Sequence, residues 1–165
     1  MFKFETNRES YIWLAAWMDT EGNFSLQRRD GSQVRNQSYW LPFMNITNTD
    51  IGVIEVLRDM TQATVTTVKR KEVRWKDRYV LYFSPQKCRL WIPRIQPFLV
   101  IKQRHADLMI EALGLLKDNQ RWAGGGKQMY REQIDANFAR LSLIHEELRE
   151  LNGRGKKDEE PLMQL

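Results

Sequence analysis

Between Tyr11 and Arg29 the apolar residues change period, from that of a helix to that of a strand, and the change falls at Gly22. Tyr11, Leu14, Ala15 and Met18 recur at i, i+3, i+4 and i+7, one face of a helix. Thr6 and Glu9 have capping-box spacing ahead of it, so a helix from about Arg8 to Thr20 is expected, with Gly22 ending it. From Asn23 to Arg29 the period is two. Phe24 and Leu26 point one way, and Asn23, Ser25, Gln27 and Arg29 the other. The junction reads WLAAWMDTEG. It places a carboxylate, Asp19 or Glu21, at the foot of a closely packed helix, beside a backbone that only glycine leaves open. The rest of the chain has to be built around this junction.

Asp30-Gly31-Ser32 signals a turn, and a second strand is expected over Tyr39 to Thr47 with Trp40, Met44 and Ile46 on the core face. Asn48, Thr49 or Asp50 can cap a helix over Ile51 to Thr61, whose apolar positions are Ile54, Leu57 and Met60. Thr64 to Val73 and Arg78 to Phe83 read as a basic hairpin. Ser84-Pro85 opens a short helix, and Pro93 and Pro97 are expected to break the chain. Lys102 to Leu116 is helical, with Ala106, Met109, Ile110 and Leu113 on one face. After a joint at Gly124-Gly125-Gly126, a long helix of about 127–151 places Tyr130, Ile134, Phe138, Leu141, Ile144 and Leu148 three and four apart. Strand pairs alternating with helices give an α+β fold, an antiparallel sheet with helices on one face. Residues 1–152 are expected to form a single domain with the last helix as an extension, and 153–165 a flexible tail.

Composition narrows the functions open to such a fold. The chain has 165 residues, ample for a core. Its single cysteine, Cys88, cannot form an internal disulfide and is expected to be a buried small hydrophobe in a reducing compartment. No apolar run approaches the roughly 20 residues that span a bilayer. The start, MFKFETNRES, lacks the apolar centre of a secretory signal, so an intracellular location is expected. His105 and His145 are the only histidines and belong to no Cys/His cluster, which argues against zinc. GGGK at Gly124 lacks the remaining spacing of a phosphate loop.

The net charge of +5 and pI near 9.4 are compatible with nucleic acid. Between Lys69 and Arg78 the chain reads KRKEVRWKDR, six cations against two anions, a phosphate-contacting ribbon or a solvated hairpin tip. One face of the expected sheet carries Ser25, Gln27, Arg29, Asn45, Lys69, Lys71 and Arg78. Such residues can read base edges in a DNA groove, although any antiparallel sheet can have one polar, wet face.

The stretch WLAAWMDTEGNF resembles the signature of the LAGLIDADG homing endonucleases, with Leu14, Ala15, Asp19 and Gly22 as direct matches. IQPFLVIKQRHADLMIEAL, from Ile95, is similar to a later family segment in which a loop carries a lysine into a helix. The resemblance covers roughly Tyr11 to Leu116. It implies an αββαββα unit, here with an extra C-terminal helix. It also implies a homodimer, since one motif is present, packed through Leu14, Ala15, Trp17 and Met18. The activity implied is metal-dependent, site-specific hydrolysis of both strands of a long pseudo-palindromic double-stranded DNA, leaving staggered ends. Mg²⁺, or another divalent cation such as Mn²⁺, would be held by Glu21 beside the Gly22 backbone. Lys102 and Asn48 would be the other catalytic residues. The family usually has aspartate where this chain has Glu21, with the same charge on one more methylene. Asp19 is expected to be structural, bonded to helix-end backbone. An arginine that the family carries shortly after the second strand has no convincing equivalent, with Gly52 and Arg58 nearby. The rival is a non-cleaving member of the same fold, an RNA maturase with intron RNA as partner or a DNA-binding regulator. A third reading, a small α+β scaffold protein, treats both matches as chance. Organelle, archaeal, bacterial and phage hosts all fit the resemblance.

Overall fold

The capping box at Thr6 does start the first helix. Thr6 Oγ1 accepts the Glu9 N–H at 3.2 Å, and the Glu9 carboxylate accepts the Thr6 N–H at 3.3 Å. The computed structural model describes residues 6–29, 39–70, 76–123 and 130–153, without the side chains of 120–123. In chain order the elements are α1 (Asn7–Glu21), β1 (Gly22–Arg29), β2 (Tyr39–Asn48), α2 (Ile51–Thr61), β3 (Thr64–Val68), β4 (Arg78–Phe83), α3 (Pro85–Ile95), a 3₁₀ turn (Gln96–Phe98), α4 (Gln103–Ala123) and α5 (Arg131–Asn152). The expected turn at Asp30, the glycine joint and the end of the tail lie outside the described residues.

The four strands form one antiparallel sheet in the order β1-β2-β4-β3. Its inner face supplies Phe24, Leu26, Met44, Ile46, Leu81 and Phe83, all at most 1% exposed. Against them pack Leu14, Ala15 and Met18 of α1, Ile54 and Leu57 of α2, Cys88, Ile92 and Ile95 of α3, and the first turns of α4. Each large apolar side chain buried there contributes on the order of 2 kcal/mol. The Cys88 thiol donates to the Phe83 carbonyl at 3.5 Å, and burial pushes its pKa up to about 12.

Three expectations of local structure change. Pro93 does not end α3, which runs on to Ile95. Proline removes one N–H from the helix, but Trp91, Ile92 and Ile95 are buried and hold the last turn against the core. Helix α4 is two turns longer than its apolar face implied. Leu108 and Ala112 are fully buried while Ile110 is 37% exposed, because α4 packs against the sheet, α3 and α5 and needs more than one apolar face. Strand β3 ends at Val68, and residues 71–75 of the expected hairpin lie outside the described residues.

Helix α5 is part of this fold rather than an appendage. Leu141, Ile144 and Leu148 are buried against the core. Two turns apart on its sheet-facing side, His145 Nδ1–H donates to the Leu26 carbonyl at 2.6 Å and Asn152 Nδ2 to the Phe24 carbonyl at 2.7 Å. Strand β1 is an edge strand, and these two side chains satisfy carbonyls that would otherwise invite another strand.

Candidate active site

The register brings chemistry to one end of the sheet. Gly22, at the start of β1, lies opposite Ile46, and Asn48, at the end of β2, lies opposite Tyr79 beside Arg78. Here the ends of α1, β1, β2, β4, α4 and α5 meet around a cleft of about 730 Å³, lined by Glu21, Asn48, Arg78, Lys102, His105 and Leu151 among others. Glu21, Asn48 and Lys102, far apart in sequence, therefore line one cleft.

Gly22 is required by close approach, not by a left-handed backbone. Its φ is −84°, and a Cβ added to it would lie 2.6 Å from the Cα and carbonyl oxygen of Met18. That contact lets β1 leave α1 without a loop, so Glu21, the last helical residue, is presented at the cleft. Glu21 is exposed and accepts no hydrogen bond from the described residues.

Asp19 takes the structural role. Its carboxylate accepts the backbone N–H groups of Val100 (2.7 Å), Ile101 (3.2 Å) and Lys102 (2.8 Å), the entry to α4. Lys102 returns the link. Its ammonium donates to the carbonyls of Met18 at 2.9 Å and Asp19 at 2.6 Å, at the end of α1. Burial lowers the Lys102 pKa, while the charges of Asp19 and Glu21 raise it. Lys102 thus lies at the cleft with much of its donor capacity already engaged. Asn48 is partly engaged as well. Its Oδ1 accepts the Asp50 N–H at 2.8 Å, which leaves its N–H₂ group and one lone pair of that oxygen for the cleft. Asp50 is the residue that caps α2.

His105 was not singled out for the site, although it lies one helical turn beyond Lys102 and so on the same side of α4. It is 7% exposed, and its pKa is lowered first by burial and then by the Lys102 charge, against the smaller raising effects of the nearby Leu151 backbone and of the Asp19 charge.

The expected dimer seam needs correction. Leu14, Ala15 and Met18 are each 0% exposed within the chain's own core and have no surface to offer a second copy. Of the four residues named, only Trp17 reaches the surface. It belongs to an outward stripe with Ile12, Trp13 and Ala16, in which Trp13 and Trp17 meet edge to face at 5.9 Å. The face that holds Leu14, Ala15 and Met18 is the one that meets the sheet.

The outer sheet face carries Ser25, Gln27, Arg29, Asn45 and Arg78 as expected, with Asn23 and Thr47 beside them. Lys69 is exposed just past β3, and Lys71 lies outside the described residues. The face is not uniformly polar. Leu41, Phe43 and Tyr82 form a half-buried apolar ridge along β2 and β4, with the rings of Phe43 and Tyr82 5.4 Å apart. The signal was present in β2, which is apolar in both registers.

No family model matches the sequence, and no curated protein matches it. Solved structures do match. The homing endonuclease I-CvuI, in complex with the I-CreI target and Mg, its DNA not cleaved, is 14% identical over 91% of this chain and 85% of its own, with a TM-score of 0.64. The archaeal intron-encoded homing endonuclease I-Vdi141I, complexed with DNA, is 16% identical over 93% and 90%, with a TM-score of 0.66. I-TnaI, another homing endonuclease, is 19% identical over 88% of this chain and 100% of its own, with a TM-score of 0.54. The likeness is one of architecture, and this chain has the fold of the LAGLIDADG homing endonucleases.

Proposed function

We propose that the chain is a site-specific, metal-dependent endonuclease of double-stranded DNA, acting as a homodimer on a long pseudo-palindromic site and leaving staggered ends. The observation that carries this reading is Glu21, a carboxylate that accepts no hydrogen bond from the described residues, at a cleft lined by Lys102 and Arg78, at one end of a sheet whose outer face bears Gln27, Arg29 and Asn45.

The residues at the cleft fit a hard divalent ion. Among the described residues no group of three His, Cys, Asp or Glu side chains could enclose a metal. One carboxylate with the neighbouring Gly22 backbone suits an ion of the Mg²⁺ or Mn²⁺ kind, which keeps waters and takes phosphate oxygens as further ligands. When bound, such an ion supplies charge stabilisation and an activated water for phosphodiester hydrolysis. Glu21 would hold it, and the Gly22–Met18 contact fixes where that carboxylate stands. The Asn48 N–H₂ can orient a water or a phosphate oxygen by donating to it. The Asp19–Lys102 clasp ties the entry to α4 to the end of α1, the helix end that carries Glu21. The outward stripe Ile12, Trp13, Ala16 and Trp17 would be the seam, which brings a second Glu21 across the two-fold axis.

A non-cleaving role on intron RNA is the second reading. The Phe43–Tyr82 ridge favours it, because aromatic side chains on a sheet face can stack unpaired bases. The test is cleavage, with Mg²⁺, of a duplex spanning the gene's own insertion site, by the wild type and by Glu21→Gln. The wild type should cut both strands, and the variant should bind the same duplex without cutting it. Equal cutting by both proteins would remove Glu21 from the site.

A further inference from the structure

Hydrolysis of a phosphodiester puts extra negative charge on the non-bridging oxygens, and a cation fixed beforehand at that position stabilises it most. Among the described residues two cationic side chains line the cleft, Lys102 and Arg78. The Lys102 ammonium is directed at the carbonyls of Met18 and Asp19 and braces the end of α1. Arg78 is placed differently. It is the first residue of β4, paired with Val68 of β3 and next to Tyr79, whose partner on β2 is Asn48. Its Nε is buried without a hydrogen-bond partner, and it makes no ion pair with any described carboxylate. The adjacent Asp77 does not neutralise it, because the Asp77 carboxylate turns back to accept the Arg70 N–H at 3.2 Å. Its register partner on β3 is the uncharged Val68.

From this arrangement we propose that Arg78 contacts the phosphate that is cleaved, its guanidinium donating two N–H groups to the non-bridging oxygens. It forms no bond and transfers no proton; it offsets charge and fixes the phosphate beside Glu21. A planar fork suits two oxygens of one phosphate, which a lysine at the same place would meet only as a point charge. The proposal rests on the endonuclease reading and adds to it the residue that grips the reacting group.

The experiment uses the full chain and the duplex of the cleavage test. If the wild type neither binds nor cuts that duplex, the endonuclease reading fails, and Arg78 falls with it. If the wild type cuts, binding is measured without divalent metal on two duplexes, one native and one with a neutral methylphosphonate at the cleaved position. The wild type should lose roughly tenfold in affinity on the neutral duplex, and Arg78→Gln should bind both alike. In single-turnover cleavage Arg78→Gln should be slower by roughly a hundredfold, and added guanidinium ion should restore part of the rate. Arg78→Lys, which keeps the charge, should bind like the wild type and still cut slowly. An Arg78→Gln protein that melts like the wild type overturns the proposal if it keeps the methylphosphonate sensitivity, or if it cuts within about threefold of the wild-type rate.

Discussion

Asp19 and Lys102 hold each other's helix rather than each other. The Asp19 carboxylate receives three backbone N–H groups at the entry to α4, and the Lys102 ammonium donates to two backbone carbonyls at the end of α1. Each charge meets the helix end that lacks partners of its own, and the complementary dipole adds to the attraction. Asp19→Ala should lower stability by about 2–3 kcal/mol, and Lys102→Met by about 1–2 kcal/mol, in denaturant titrations. Because both brace one junction, the double variant should fall short of the sum by about 1 kcal/mol. Strict additivity would mean that the two links act independently.

Gly22→Ala tests the direct passage from helix to strand. A methyl group there would lie 2.6 Å from Met18 backbone atoms, which cannot swing away as a side-chain tip can. We expect a loss of about 3 kcal/mol, with Glu21 displaced from the cleft. Calorimetry gives the stability, and a wild-type melting temperature would show that the junction opens easily.

Stability should depend on pH through His105. Burial and the nearby Lys102 charge disfavour its protonated form in the folded chain, so its folded pKa lies below that of the unfolded chain. As pH falls through about 6.5, the unfolded chain takes up a proton that the folded ring resists, so stability drops on acidification and is recovered above that range. The melting temperature should therefore rise from about pH 5.5 to 7.5, and His105→Gln should flatten that slope. A slope unchanged in the variant would assign the effect to another group.

On duplex DNA the Phe43–Tyr82 ridge should meet apolar groups, and in a major groove these are thymine methyls. Replacing single thymines with uracil in a duplex selected by the full chain should weaken binding about fourfold at each position the ridge touches. Phe43→Ser should abolish that sensitivity, and Phe43→Leu should keep it. Tighter binding to single-stranded RNA than to the duplex, lost in Phe43→Ser, would favour the second reading instead.

Much of this was legible along the chain because it is governed by local chemistry. The helix-to-strand switch at Gly22, the capping box of Thr6 and Glu9, helix α2 and strand β4 follow from period and capping, which act between near neighbours. The resemblance pointed to Glu21, Asn48 and Lys102, and all three line one cleft. Three kinds of fact could not be read this way. A periodic face shows that one side of a helix is buried but not what buries it, so Leu14, Ala15 and Met18 suited a seam with a second copy as well as a core. A charged side chain shows what it can donate but not which carbonyls stand nearby, so the engagement of Lys102 with α1 was invisible. Residues far apart in sequence also carry no mark of a shared cleft, as His105, Arg78 and Leu151 illustrate.

The sequence by itself determined the order of helices and strands, the apolar faces and the place where helix becomes strand, since these depend on spacing within a few residues. Only the tertiary structure decided that α1 turns Leu14, Ala15 and Met18 inward, that α5 covers the edge of β1, and that Asp19 and Lys102 each bind the other's helix end. Those outcomes depend on which surfaces exclude water together and which backbone groups lack partners once they do, and both are properties of the packed chain.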